Sequence, residues 1–346
     1  MVIQDVKVTI GVPVFNAEKY VVKCVESVFA QTLDGIELIL VDDKGYDNSL
    51  SIIKDYISKH PKRDIVRIVE HNHNMGVGCS RNTIVREARG KYLFFLDSDD
   101  YISPNSINLL YNKAEETKAE TVWGSTMKVD SFTGKQTPYW EYPDIELFGR
   151  DKLINYEYES RNTKLLTAVW NILFNTEFFR RNNLRFEQVA NNEDTIMHYH
   201  LQPLITKAVL MSDFTYYYYI RPNSISNFQK RDIIDIEEAN NVIRVSRYIK
   251  NASRNVKDKP YYPRMCERIM KWSFFMSNGL LKNRCKMNIP IDYSIIKELM
   301  DHPASLKELL CMKKCFLTNF VFYLIGKLPA GLVVKCVLVL AKIQRL

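Results

Sequence analysis

The amino-acid sequence predicts an α/β protein: an open, mostly parallel sheet flanked by helices, followed by a mainly helical C-terminal extension. Three observations carry this reading. Apolar, β-rich runs alternate with amphipathic stretches at helical spacing through the N-terminal third of the chain. Each of those runs ends in polar or acidic residues, and open α/β sheets bind ligands beyond the carboxyl ends of their strands. Towards the C-terminus the strand patterns give way to long helical periods. With 346 residues, 46% hydrophobic and 25% charged, the chain has the composition of a folded protein. It is long enough for one large core with an appendage, or for two domains.

Val6 to Val14 is β-rich and turns at Phe15-Asn16. Asn16 is placed to cap a helix beginning near Ala17, with Tyr20, Val21, Cys24, Val25, Val28 and Phe29 as its buried stripe. Ile36 to Val41 is the second strand, ending in Asp42-Asp43. Asp47 or Asn48 caps the next helix, whose apolar positions are Leu50, Ile53 and Ile57. Ile65 to Val69 ends in Glu70-His71-Asn72-His73-Asn74, and Gly76 opens a helix running to Ala88. Tyr92 to Leu96 is the fourth strand, and its unbroken apolar character marks it as buried on both faces and central in the sheet.

Ser103-Pro104 starts a helix reaching Thr117, and Thr121 to Val129 reads as a further strand. Ser131 to Phe148 carries aromatics and turn formers without a helical period. It reads as a long loop or irregular hairpin, of a kind often functional and here placed to cover an acceptor. Leu153 to Phe179 reads as two short helices joined near Trp170-Asn171, Phe186 to Asn192 as loop, and Glu193-Asp194 as a helix start. Ala208 to Ile220 is a strand pair or one bent strand, and its tyrosines Tyr216 to Tyr219 suit a sheet face. Helices from Arg231 to Tyr248 and from Arg264 to Leu281 begin the helical tail.

The fourth strand ends in Asp97-Ser98-Asp99-Asp100. If the chain stays extended to Asp99, a period of two sends Asp97 and Asp99 to one side and Ser98 to the other. That presents paired oxygen ligands for Mg²⁺ or Mn²⁺, shared with phosphate oxygens. The alternative is that the acids cap the following helix or turn. His198 lies four residues after Asp194 on the same helix face, either in a catalytic or ligand role or as a packed, hydrogen-bonded histidine. His71 and His73 stand at a strand's polar end, as nucleotide contacts or as ordinary loop residues.

A formal charge of +8 without long basic blocks argues against nucleic acid and suits a phosphorylated substrate or an anionic membrane. The seven cysteines form no paired zinc spacing and fit a reducing cytosolic compartment. The N-terminus enters Val6 to Ile10 without the pattern of a signal peptide. The last stretch, Cys315 to Gly326 and Leu328 to Ala341, is apolar and interspersed with lysines. It reads as a segment lying in a membrane interface, as a buried helix pair, or as a span that accommodates Lys327 and Lys335.

Several segments in order, Thr9-Ile10-Gly11-Val12-Pro13-Val14-Phe15-Asn16, Glu26 to Thr32, Glu37 to Asp43 and Asp97 to Ile102, resemble family 2 of the inverting, GT-A-fold nucleotide-sugar glycosyltransferases. The resemblance is strong over residues 6 to 110 and weaker from 111 to about 226. It implies a GT-A domain over 1–226, with a nucleotide-binding half (1–110) and an acceptor half (111–226). A helical extension (227–312) and an apolar, basic tail (313–346) would follow. It also implies that Pro13 and Phe15 lie beside the nucleobase, that Asp43 receives the base's imino hydrogen, and that Asn74, Gly76 and Arg81 close under the nucleotide. Asp97 and Asp99 match the metal-binding aspartates with Ser98 between them. Arg221 matches a basic group near the donor phosphates, and Asp194 the catalytic base. The family's usual residues after the second strand are replaced by Lys44-Gly45-Tyr46, which leaves the choice of base open.

The function expected from the resemblance is metal-dependent, inverting transfer from a nucleoside diphosphate sugar, such as a UDP-sugar, to a saccharide or lipid-linked acceptor. Its place would be the inner face of the cytoplasmic membrane. A sugar nucleotidyltransferase would need a glycine- and lysine-rich loop after its first strand, which Pro13-Val14-Phe15-Asn16 does not provide. A non-catalytic scaffold of the same fold would have lost the acids, all of which are present. For Glu193-Asp194 the alternative is simple stabilisation of a helix N-terminus.

Overall fold

Residues 5–159, 165–220 and 233–345 are described by the computed structural model. They fall into two units: Met1–Leu153 with Leu165–Gln188 and Glu193–Pro222, and Ile154–Lys164 with Val189–Asn192 and Asn223–Leu346.

The first unit is organised around β1 (Val8–Val14), buried along its whole length. β2 (Ile36–Asp42) runs parallel beside it, β3 (Val66–Glu70) lies parallel outside β2, and β4 (Tyr92–Phe95) lies parallel on the other flank of β1. Past β4 the sheet becomes mixed. β5 (Tyr101–Ile102), β6 (Thr121–Asp130), β9 (Ile172–Asn175) and β10 (Lys207–Ile220) complete the order β3-β2-β1-β4-β9-β6-β10-β5. β7 (Gln136–Trp140) and β8 (Ile145–Phe148) pair antiparallel with β6 and β10. Within 131–148, therefore, β7 folds back on β6 as an irregular hairpin, whereas β8 joins β10 and not β7.

Alternating strand residues divide the core. Val8, Ile10, Val12, Leu38, Leu40, Tyr92 and Phe94 share one cluster with α1 (Val21–Phe29), α2 (Ser49–Ser58) and α4 (Ser106–Thr117). Each such fully buried aliphatic side chain contributes about 1.5–3 kcal/mol through removal from water. The other face receives α3 (Val77–Glu87), which approaches closely because Gly11 has no side chain. A Cβ there would lie 2.2 Å from Ile84 Cγ2. On that face Phe95, Phe174 and Phe179 pack edge to face, Phe179 coming from α6 (Thr176–Arg181).

Three local expectations are overturned. The chain at Asn16 is left-handed (φ 49°), so Asn16 caps no helix; its Oδ1 accepts from Tyr46 N at 2.7 Å, and α1 starts only at Val21. β9 stands where the second short helix was expected to begin, and that helix is reduced to Thr176–Arg181. The strand's apolar Ile172-Leu173-Phe174 fits either period, and the free edges of β4 and β6 decide for strand. The extended run to Asp99 also fails: the chain turns, with Asp100 N donating to Asp97 O at 3.0 Å. Ala208 to Ile220 is one strand with register shifts near Phe214.

The second unit contains most of α5 (Lys152–Glu159), where buried Glu157 pairs with Arg268. Its core is formed by α8 (Ile236–Arg254), α9 (Tyr262–Lys282), α10 (Tyr293–Met300), α12 (Phe316–Lys327) and α13 (Ala330–Ile343) around Met270, Leu280, Ile296, Leu299 and Val337. α11 (Leu306–Leu310) is held by a capping box between Ser305 and Glu308. No helix among the described residues is long and apolar enough to cross a membrane.

Candidate active site

The carboxyl ends of β1, β2, β3 and β4 meet at one edge of the sheet in the first unit. At the end of β2, Asp43 is buried, and its carboxylate fastens the loop that enters α3. Oδ1 accepts from Met75 N at 2.9 Å and faces His71 Nδ1 at 2.7 Å, while Oδ2 accepts from Gly76 N at 2.8 Å. His71 Nε2 lies 3.0 Å from Thr83 Oγ1. Gly76 takes φ +88°, the left-handed region that only glycine enters without strain. Asn74 is exposed beside it, whereas Pro13 is buried in β1.

Phe15 meets the exposed ring of Tyr46 edge-on at 6.0 Å. Ser49 Oγ accepts from Ala17 N at 2.8 Å and Asp47 Oδ2 from Glu18 N at 2.9 Å, so the loops after β1 and β2 form one piece. Lys44 turns back towards the sheet: its ammonium lies 3.0 Å from Glu70 and 3.5 Å from Asp42. Its charge is thereby partnered within the protein.

At the end of β4 the turn Asp97 to Asp100 leaves Asp97 and Asp99 partly exposed and Ser98 buried. Asp100 points inwards, accepting from Tyr216 Oη at 2.7 Å and Tyr219 N at 2.8 Å. Burial, then the neighbouring Asp99 and Asp97, hold its carboxyl well above the usual range despite those bonds. Tyr216 Oη also accepts from Asp97 N at 3.2 Å, so β10 anchors both ends of the turn.

Two further carboxylates arrive from α7 (Glu193–Leu201). Arg81, buried on α3, joins them to the turn: its guanidinium pairs with Asp97 Oδ1 at 2.9 Å and with Glu193. Burial opposes its charge, but Asp97, Glu193 and Asp194 more than offset this and raise its pKa. Asp194 Oδ1 accepts from Thr195 N at 2.6 Å. Burial first and Glu193 second push the Asp194 carboxyl up to about 7, against the pull of Arg81. His198 is buried and packs edge-on to Trp123 at 5.9 Å, which favours the packed-histidine reading. Arg221 lies outside the described residues.

From this turn an aromatic ladder runs outwards. Trp170 stacks on Tyr216 at 4.5 Å and on Tyr218 at 5.7 Å, and Tyr139 stacks on Tyr218 at 5.4 Å. Tyr139 is exposed at the outer end of this ladder.

Residues 9–189, just over half of the chain, match the family described as Glycosyl transferase family 2. The chain belongs to that family. Among similar proteins, the uncharacterized glycosyltransferase EpsJ of Bacillus subtilis (strain 168) is 30% identical over 66% of this chain and 65% of its own length. The poly(ribitol-phosphate) beta-glucosyltransferase of Bacillus spizizenii is 28% identical over 62% of this chain and 32% of its own. This chain thus spans less than two thirds of either protein. The crystal structure of S. aureus TarS 1-349 in complex with UDP-GlcNAc shares the fold, with a TM-score of 0.66, 17% identity and coverage of 93% of this chain and 90% of that one.

The open α/β sheet with a helical C-terminal region is therefore the GT-A-like architecture of family 2. Sequence reasoning named Asp43, Arg81, Asp97, Asp99 and Asp194 as site residues, and it did not foresee three contacts among their neighbours: the inward turn of Asp100, Glu193 as the second arm of Arg81, and Tyr216. Asp100 had a signal, since a third acid after a buried strand needs its own donor. Tyr216 had none, because the residue lies 116 positions from Asp100.

Proposed function

We propose that this chain transfers a sugar from a nucleoside diphosphate sugar, a UDP-sugar first among them, to a hydroxyl of a saccharide or lipid-linked saccharide, with inversion. The reaction would serve cell-surface polysaccharide synthesis at the inner face of the cytoplasmic membrane. One observation carries the reading: Asp97, Asp99, Asp100, Glu193 and Asp194 gather with Arg81 at the strand ends of a family 2 sheet. Residues 1–226 would act as the catalytic domain, divided at about residue 110 into nucleotide and acceptor halves. Residues 227–312 would form the helical extension and 313–346 the apolar, basic tail.

Each group has a role that its surroundings support. An ionised carboxylate offers about four acceptor positions. Asp43 spends three on His71, Met75 N and Gly76 N, leaving one for a nucleobase imino hydrogen. Phe15 and Tyr46 would flank the base, with Pro13 beneath the loop and Asn74 and Gly76 at its rim. Asp97 and Asp99, with Ser98 between them, would hold Mn²⁺ or Mg²⁺. Such ions commonly take one or two carboxylates and complete their shell with water and substrate phosphate oxygens. Asp100 and Asp194, whose carboxyls are held up by burial first and by neighbouring carboxylates second, stand beside that pair.

A bound divalent ion supplies neutralisation of the charge that builds on a departing diphosphate. Arg81 would keep Asp97 oriented through their ion pair while holding Glu193 on its other arm, and Arg221 would approach the donor phosphates. Asp194 would take the acceptor's proton on the face opposite the leaving group, and a carboxyl near 7 is tuned for that exchange. The aromatic ladder ending at Tyr139 would stack against acceptor sugar rings.

Calorimetry with UDP, with Mn²⁺ and with chelator, tests the nucleotide and metal sites together. Binding should require the cation, and Asp99→Asn should weaken it more than Ser98→Ala. Equal affinity with and without chelator would remove the metal site. A screen of nucleotide sugars scored by released nucleoside diphosphate would then identify the donor.

A further inference from the structure

The helices α12 and α13 depart from the pattern of a surface helix. Their inner faces, Phe322 and Ile325 on one and Val333, Val334, Val337 and Ala341 on the other, belong to the core of the second unit. A helix packed on one side usually turns polar residues to water on the other. Here the outer faces are apolar as well. Leu317, Val321 and Leu324 recur at spacings of four and three along α12, and Leu332, Val339 and Ile343 at seven and four along α13, all exposed. Leu317 and Ile343 retain 73% and 71% of their surface. Contiguous apolar surface of this kind marks a site of attachment.

The charges around these faces select the surface attached. From residue 309 onward the sequence has Lys313, Lys314, Lys327, Lys335, Lys342 and Arg345, and neither aspartate nor glutamate. Lys314 and Lys327 reach back to Glu159 and Asp301 in partly exposed pairs. Lys313, Lys335 and Lys342 are exposed on the helices or at their start. Beside the start of α12, Lys257, Lys259, Lys307, Lys313 and Lys314 line a cleft of about 800 Å³ shared with Asp258 and Glu308. Two copies meeting through these faces would bring like charges together, whereas anionic headgroups would neutralise them. With 12 and 14 residues, the helices are shorter than the roughly 20 residues a span requires.

We propose that the outer faces of α12 and α13 dock the chain in the plane of an anionic lipid surface. The exposed leucines, valines and Ile343 enter the acyl boundary, and the lysines reach the headgroups with their aliphatic stems along the apolar surface. This deepens the membrane-face element of the proposed function, and its test needs neither nucleotide nor turnover. A failure here leaves the catalytic reading standing, and the reverse also holds.

The experiment is co-sedimentation of the full chain with vesicles of phosphatidylcholine alone and of phosphatidylcholine with phosphatidylglycerol, at low and high salt. Binding should need the anionic lipid and weaken with salt. Lys313, Lys335 and Lys342 changed together to Gln should lower the partition coefficient by roughly fivefold per lysine. Leu317→Glu with Leu324→Glu should abolish binding while circular dichroism stays unchanged, since both positions are exposed. If that pair fails to fold, the lysine series and the salt dependence of the unaltered chain still decide. No binding to anionic vesicles, binding indifferent to both sets of substitutions, or a dimer in sedimentation equilibrium that the glutamates dissociate would each overturn the proposal.

Discussion

Asp194→Asn should raise stability and remove transfer in the same variant. The carboxyl is pushed from 3.8 to about 7 by burial and by Glu193. At about 1.4 kcal/mol per unit, that shift has an upper bound of about 4 kcal/mol. Solvent reaches part of the residue, and screening brings the expected cost of the charge to about 1–2 kcal/mol. Because the folded state binds this proton more tightly than the unfolded chain, the cost is absent below about pH 4. It grows as pH rises towards 7 and is complete above it.

Asparagine cannot ionise but can still accept from Thr195 N, which Asp194 does at 2.6 Å. Urea unfolding should therefore show a gain of about 1–2 kcal/mol at pH 8 and almost none at pH 4. Loss of a general base should lower turnover roughly 10²–10⁴-fold, with donor affinity unchanged. In the unaltered protein, turnover should climb as pH passes through about 7 and the carboxyl ionises; this limb should vanish in the variant. The assay is release of nucleoside diphosphate from the donor, with a saccharide acceptor or with water. A variant that keeps most of its turnover would refute Asp194 as base and return it to helix capping, and one that loses stability at pH 8 would refute the raised carboxyl.

Arg81→Met should destabilise the first unit by roughly 3–5 kcal/mol, because buried Glu193 loses its ionic partner; a loss below about 1 kcal/mol in urea unfolding would show that the pair is not structural. Tyr139→Ala should raise the acceptor KM and leave the donor KM alone, since Tyr139 stands at the exposed end of the aromatic ladder. Equal effects on both would place the ladder outside the acceptor site.

The alternating strand and helix pattern, the burial of the fourth strand and the acids at its end were legible in the sequence, because a period of two or of 3.6 is a local property of the chain. The same holds for Asp43, Asp97 and Asp99, which stand where local motifs put them, at or just beyond the ends of buried strands. Tertiary structure decided the rest. It made Ile172 to Asn175 a strand by offering the edges of β4 and β6. It bent Asp97 to Asp100 into a turn by supplying Tyr216 and Tyr219 as donors from β10, and it joined Arg81 to Glu193 across 112 positions. It also set which sides of α12 and α13 are covered, whereas both sides are apolar in sequence. A local pattern states which side chains share a face; which partner meets that face depends on contacts between distant segments, and these form only when the chain is folded.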